Sequence, residues 1–547
     1  NPSPTPISAT MAITRPEGFG AVTPGAFRAR GHRVRVRRKT LASRPFFFAW
    51  LFAACQCLTS AALAQTWRLE PSATARTTAT NNSGFANSVN SGGDVTVELA
   101  PRFAIVGRGA RFSLNGEVEG RTVTYVRNTL ANDFLPSARL ALNATPVERW
   151  LYLDASAGVQ EIRSNPYSAI SEGTAPAVRL RSAQYRLSPY LDHAFTPSLS
   201  IRYRDDNLWN RRSGELGPRN DSDVRGQSLL LAHRPTPLGF SLEANRERTT
   251  YLDTTASSVE LQSARGVLTY AADPTLVLGA VAGSERSDIA RSSSRDTIGG
   301  FRLRWLPSER SDLDLVAEQR FFGSGWNVAW SHRSPFMAMQ VNLTRQPASQ
   351  PSAFLAPNTA SGLRNLIDAA FTTRYPNPAE RSVIVDNAIA NLGALPSASG
   401  ETIEVFSHYV QLQQRAAVSV VFLSPRSALT LQLHSLDSKQ LQRSNVALTP
   451  SLPPTLADNR QRGASLGMNR RLTTTLSLDA LVRGVNIEGT GDSQGRSSRS
   501  RSAQLSANQA LSPKTRLTAG ARRQLSNSTE TRPVQETAAF LGIEHKF

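Results

Sequence analysis

Cysteine occurs only at positions 55 and 57, and just four of the 62 basic residues are lysine. After Leu58 no apolar run approaches the ~20 residues that a membrane helix needs. The first absence rules out a disulfide framework and a cysteine-ligated zinc in everything downstream, so backbone pairing and burial must hold that part together. The third removes helical membrane spans but leaves strands that meet lipid with alternate residues only. No H-x-x-x-H or comparable spacing is present, so no metal and no cofactor is expected. The 58 arginines are spread along every segment, not gathered on a basic face with aromatics between them, which argues against nucleic acid as a partner.

What is present begins with a leader. Arg33, Arg35, Arg37, Arg38, Lys39 and Arg44 precede the apolar run Pro45-Phe46-Phe47-Phe48-Ala49-Trp50-Leu51-Phe52-Ala53-Ala54, which continues to Ala62-Leu63-Ala64 before Gln65. A basic region, a short apolar region and an A-x-A site make residues 1–64 an N-terminal extension plus secretory signal peptide, cleaved between Ala64 and Gln65, with Met11 or a later residue as the initiator. Two other readings of this stretch stay open: Phe52-Ala53-Ala54-Cys55 is lipobox-like, and Arg37-Arg38 is a twin-arginine pair. Nine basic residues and one acid precede Gln65, so residues 65–547 carry 53 basic against 41 acidic side chains, a net +12.

From residue 65 one pattern recurs, an alternating segment of about ten residues, a turn, and another alternating segment. Leu151, Leu153, Ala155, Ala157 and Val159 oppose Tyr152, Asp154, Ser156 and Gln160, and Leu429, Leu431 and Leu433 oppose Thr430, Gln432 and His434. The last segment puts Ala539, Leu541, Ile543, His545 and Phe547 on one parity and Glu544 and Lys546 on the other. Strands with one greasy and one wet face follow from this spacing. Short, often proline-marked turns such as Phe195-Thr196-Pro197-Ser198 and Leu511-Ser512-Pro513-Lys514 alternate with longer polar loops, as at 81–93, 163–176 and 440–459. That asymmetry predicts an all-β fold: a transmembrane antiparallel up-and-down β-barrel over 65–547, of about 22 strands, with 20 as the lower count if the eighth and fourteenth fail. The terminal Phe547 is read as the signal recognised by the barrel-assembly machinery. Pro71 and Pro101 inside strands predict local bulges.

Between 346 and 407 the alternation stops. Asn377-Pro378-Ala379-Glu380 reads as an N-cap, a first-turn proline and a capping-box glutamate, followed by Val385, Ala388, Ile389 and Leu392 at helical spacing and a stop at Gly393. A second helix is expected over 361–373. This helical insertion leaves the long-loop rim, and its apolar stripe must bury itself either inside the barrel as a plug or over the rim as a cap.

Four stretches carry a family resemblance: Trp67-Arg68-Leu69-Glu70-Pro71, Pro376-Asn377-Pro378-Ala379-Glu380-Arg381, Tyr409-Val410-Gln411-Leu412-Gln413-Gln414-Arg415, and Leu423-Ser424-Pro425-Arg426-Ser427-Ala428-Leu429-Thr430. Together they resemble the outer-membrane proteins associated with PEP-CTERM/exosortase exopolysaccharide loci. The resemblance implies a barrel in the outer membrane of a Gram-negative bacterium, acting as conduit or scaffold in making or exporting an extracellular polysaccharide. Its implied partners are outer-membrane lipid and lipopolysaccharide, the barrel-assembly machinery, the exopolysaccharide and export components. It supplies no catalytic residues.

Nor do the residues themselves supply an enzyme. Of the histidines, His193, His233, His332 and His545 fall at the short-turn rim, and His434 faces the lumen without a serine and acid fixed beside it. The positive signal is a set of inward arginines, Arg202, Arg204, Arg302, Arg304, Arg320 and Arg483, whose donors suit carboxylate or sulfate groups on a sugar polymer. The competing role is pairing with Asp154, Asp314, Glu318 and Asp479 across neighbouring strands. A general or sugar-specific porin is the alternative function. A TonB-dependent receptor shares the strand number but needs a large plug before its first strand.

Overall fold

A computed structural model describes residues 66–83, 92–163, 165–168, 179–213, 221–252, 258–289, 292–349, 410–441, 458–530 and 533–547, with single positions of the 367–385 stretch. The first eleven strands are β1 (Thr66–Thr80), β2 (Asp94–Arg108), β3 (Phe112–Tyr125), β4 (Asp133–Val147), β5 (Leu151–Arg163), β6 (Arg179–Ala194), β7 (Leu199–Ser213), β8 (Ser222–His233), β9 (Leu238–Tyr251), β10 (Val259–Asp273) and β11 (Leu276–Ile289). The remaining eleven are β12 (Ser292–Ser308), β13 (Ser311–Arg320), β14 (Gly323–Ser334), β15 (Met337–Ala348), β16 (Gln411–Leu423), β17 (Ser427–Gln440), β18 (Asn459–Arg471), β19 (Leu476–Gly489), β20 (Ser497–Ser512), β21 (Thr515–Ser528) and β22 (Val534–Lys546). Each pairs antiparallel with the next, and β1 pairs with β22 from Ser72↔Lys546 to Thr80↔Ala538. The chain is thus a closed 22-stranded antiparallel barrel, and the doubtful eighth and fourteenth strands are both present.

Alternation decides which way each side chain points. In β22 the even residues Val534, Glu536, Ala538 and Phe540 are buried, while Leu541 and Ile543 are exposed. The same holds around the wall, where Leu99, Phe103, Val118, Leu242, Leu268, Phe301, Val482 and Leu505 all face outward and exposed. A continuous greasy exterior of this kind is stable only against hydrocarbon. At the short-turn rim it ends in rings: Trp150 stacks on His193 at 3.6 Å, His233 on Phe240 at 5.6 Å, and His545 meets Phe547 edge-on at 5.0 Å. Amphipathic rings favour that boundary between tails and water.

The short turns are closed by their own side chains. Asp273 accepts hydrogen bonds from the N–H and hydroxyl of Thr275, both at 2.6 Å, and the hydroxyls of Thr196, Ser424 and Thr473 accept backbone N–H groups two to three residues on. Such local acceptors are why Asp, Ser and Thr recur in these turns. Register shifts sit beside four of these turns, at Ala144/Val147, Ala271/Asp273, Trp305/Ser308 and Ala510/Ser512. The bulges expected at Pro71 and Pro101 are not there. Pro71 pairs with Phe103 and Pro101 with Ala73 in unbroken register, so the ladder gives up one donor without shifting. The carbonyl of Pro71 accepts the N–H of Phe547 at 3.0 Å, and the Phe547 ring stays exposed. The leader over 1–64, with its Ala64-Gln65 cleavage site, lies outside the described residues.

Candidate functional site

The lumen wall is the face on which any cargo would act, and the six arginines named from sequence all lie on it. Arg202 pairs with Asp192 at 2.5 Å; Arg204 bridges Asp154 at 3.1 Å and Asp206 at 3.0 Å; Arg302 reaches Asp314 at 3.4 Å and Arg304 reaches Asp312 at 3.7 Å. Arg320 binds Glu285 at 2.6 Å and Glu318 at 3.6 Å. Arg483 sits in register between Ser465 and Ser502. Of the expected acidic partners, Asp154, Asp314 and Glu318 are paired to arginine, whereas Asp479 accepts hydrogen bonds from Asn469 at 2.5 Å and from Asn508. Arg202, Arg204, Arg302, Arg304 and Arg320 therefore have a carboxylate in contact among the described residues, as opposite charges on neighbouring strands favour.

These pairs differ sharply in burial. The Arg202 and Asp192 side chains are 55% and 31% exposed, but Glu285 and Glu318 are only 2% and 6% exposed. Around them a network closes: Arg265 of β10 binds Glu318 of β13 at 2.7 Å and lies 3.6 Å from Glu243, while Glu285 also accepts the N–H of Phe321 at 2.6 Å. The Arg265–Glu318 contact spans β11 and β12, reached by two long side chains across the inner face. The hairpin between β13 and β14 turns on Phe321 and Phe322, with Gly323 at φ +92°, a backbone region that side chains resist.

The residues flanking the 346–407 segment point inward. β15 runs on through Ala348, paired with Gln411, so the break in the wall begins three residues later than the sequence pattern placed it. Ser349 then donates to Glu247 at 2.5 Å and accepts from Thr249 at 2.9 Å, and its carbonyl accepts the Tyr251 hydroxyl at 3.2 Å, all on the inner face of β9. Val410 packs with Tyr251, Val259 and Ile289. Within the segment, Ile367, Asp368, Ala369, Phe371, Arg381 and Val385 are helical, Asp368 holds Arg381 at 3.0 Å, and the Arg381 N–H donates to the Asn377 carbonyl at 2.9 Å, as an N-cap at Asn377 requires. Ile367 and Val385, both shut from solvent, pack on Ala338, Val421 and Ala428. Those three lie on the inner face at the short-turn end, on the order of 30 Å along β15 from Ser349. A cavity of about 770 Å³ there is lined by the turns at Pro274, Pro307 and Arg333 together with Ala369. Ala388, Ile389, Leu392 and Gly393 lie outside the described residues.

Sequence reasoning missed a second inward contact. Tyr167, four residues past β5, is fully buried against Ile487; its hydroxyl donates to the Asp458 carbonyl at 3.1 Å and its own carbonyl accepts from Ser528 at 2.5 Å. Asn165 beside it donates to Glu530, which Arg496 binds at 3.3 Å. Burial raises the Tyr167 hydroxyl above its ordinary pKa. The loop after β5 thus touches strands at least six positions away around the wall, and the only hint in sequence is an aromatic inside a long polar loop.

Nothing in this wall assembles a catalytic group among the described residues. The inward His434 ring packs where a Cβ on Gly463 would stand and has no hydrogen-bond partner at either nitrogen. His332 accepts or donates only at the rim, with Ser311 at 2.7 Å. No cluster of three or more metal-ligating side chains converges among the described residues.

No protein-family model and no curated protein matches the sequence. Among solved structures the chain is similar to the siderophore receptor PirA from Pseudomonas aeruginosa, with a TM-score of 0.38 and 12% identity over 88% of this chain and 80% of that one. It is also similar to the FrpB iron transporter from Neisseria meningitidis, with a TM-score of 0.46 and 10% identity over 90% and 84% of the two chains. A third is a mutant of the ferric enterobactin receptor PfeA from Pseudomonas aeruginosa in complex with enterobactin, with a TM-score of 0.43 and 9% identity over 87% and 81%. Likeness at this level carries no argument about cargo.

Proposed function

We propose that the chain is a Gram-negative outer-membrane conduit or scaffold for an extracellular polysaccharide, its lumen plugged by its own segment between β15 and β16, and that it is no catalyst. The carrying observation is the seat of Ile367 and Val385 on Ala338, Val421 and Ala428. A segment capping the outer rim has no reason to bury its apolar residues at the opposite end of the wall. Large barrels commonly hold something inside, and both flanks of this segment, at Ser349 and Val410, turn toward the lumen. A passive porin needs a free passage, which makes that alternative the weaker one. The polysaccharide rests on the four resembling stretches. Lipid, lipopolysaccharide and the assembly machinery are the partners such a barrel requires.

Secreted polymer in a strain lacking the gene is the test. Loss of extracellular polysaccharide, restored by the full chain, supports the reading. Unchanged polymer in a strain whose other outer-membrane proteins are intact refutes the polysaccharide role and leaves the barrel standing.

A further inference from the structure

The outer face of β7 to β12 departs from the greasy exterior near the long-loop rim. One row across the strands reads Asn207, Arg225, Arg248, Glu260 and Asp288, and the row below reads Asp205, Gln227, Arg246, Gln262, Arg286 and Arg295. Five arginines meet three acids there. Arg225 pairs with Asp205 and Arg246 with Glu260, each at 2.8 Å, and Arg286 with Asp288 at 3.2 Å. Arg248 and Arg295 have no carboxylate at ion-pair distance among the described residues. More telling, Arg225 stands directly opposite Arg248, and Arg286 directly opposite Arg295. Like charges facing each other across strands are destabilising; Asp205, Asp288 and Glu260, which stands opposite Arg248 on β10, offset part of this repulsion, and five arginines against three acids leave an excess of two positive charges for an anion to meet. The outward positions of β1 to β4 hold no charge, whereas those of β17 to β20 carry Asp437, Lys439, Arg460, Arg462, Glu488, Arg499 and Arg501, so it is the recess beneath the charges that distinguishes the β7 to β12 sector.

Beneath these rows the surface is hollow. The next residues down are Tyr203, Leu229, Ala244, Ala264, Ser284 and Thr297, followed by Gly266, Ala282 and Gly299 on the strands that carry Gln262, Arg286 and Arg295. Small side chains between larger ones leave a recess of about 870 Å³, bounded above by Arg246, Gln262 and Arg286. Cations at headgroup height over an apolar recess match an amphiphile whose acidic groups sit above its acyl chains.

We propose that this sector binds a phosphorylated glycolipid of the outer leaflet, its phosphates on Arg246, Arg286 and Arg295 and an acyl chain in the recess over Ala264. The proposal rests on the membrane-spanning reading of the barrel. The test measures binding of bisphosphorylated lipid A, its dephosphorylated form and inorganic phosphate to the detergent-purified full chain. Wild type should bind the bisphosphorylated lipid. R246Q/R286Q/R295Q should weaken it about 100-fold, the weight of two charge-assisted hydrogen bonds. A264W, which fills the recess and leaves the arginines, should weaken it too, whereas R499Q/R501Q on the outer face of β20 should not. Heat-shifted gel mobility checks that each variant is folded, and A264W decides if the triple variant is not. The proposal is overturned if wild type does not bind, if the dephosphorylated lipid binds as well, if inorganic phosphate competes at equal phosphate concentration, or if the β20 variant loses as much as the triple variant. A protein that dissolves without detergent would refute the membrane reading instead, a separate result.

Discussion

Replacing Arg320 by methionine tests whether the inward arginines are wall or ligand site. The substitution keeps most of the side-chain volume and removes the charge, leaving the almost wholly buried Glu285 with the Phe321 N–H and Glu318 with Arg265. Removing one partner of a buried pair costs roughly 3–5 kcal/mol because a charge is stranded out of water. Arg202 offers the contrast, since its pair with Asp192 is more than half exposed on the arginine side. Such pairs are worth about 0.2–1 kcal/mol, so Arg202→Met should barely register. The assay is urea unfolding of the refolded barrel in phospholipid vesicles, read by tryptophan fluorescence. Arg320→Met should lose several times the stability that Arg202→Met loses, and adding Glu285→Gln should restore part of the loss. Equal small losses in both variants would falsify the account of a buried structural ion-pair network at β10 to β13 and return Arg320 to the candidates for cargo binding.

Joining Ser349 to Val410 by a short turn is feasible because Ala348 and Gln411 are already paired. In a planar bilayer the excised barrel should pass a sustained current about as large as that of a 16-stranded porin or larger, since bore grows with strand number; unchanged conductance removes the plug. In that excised background, replacing Arg202, Arg204, Arg302 and Arg304 by glutamine leaves Asp192, Asp154, Asp314 and Asp312 unmatched, so permeability should move toward cations. No movement would mean those carboxylates are not at the passage. Ala75→Cys with Ile543→Cys, facing partners across β1 and β22, should form a disulfide under mild oxidant, and failure to cross-link would contradict closure.

Strand number and facing were legible because a period of two is a local property. Leu541 and Ile543 meet lipid for the same reason that they alternate with Gly542 and Glu544. The bulges were misplaced because a proline in a ladder costs one donor, which a long paired strand tolerates, while the register shifts follow from the turns. The contacts of Tyr167 with Ile487 and of Arg265 with Glu318 were out of reach, since they join parts of the chain that are not neighbours in the ladder. The helical spacing around Val385 forecast a buried stripe but not the surface that buries it. The Arg225–Arg248 and Arg286–Arg295 juxtapositions needed the register itself, which alternation leaves undetermined to within two residues.

The seam has a consequence for biogenesis. Thr80 meets Ala538 only once the whole polypeptide has been delivered, and the link between Thr80 and Glu536 at 3.0 Å and the buried Arg522–Glu536 pair on the same rim must wait as well. Until then two raw borders stay open to pairing with any stray strand. Pairing of β1 with β22 removes both borders at once, so exposure of the edges ends in a single late step.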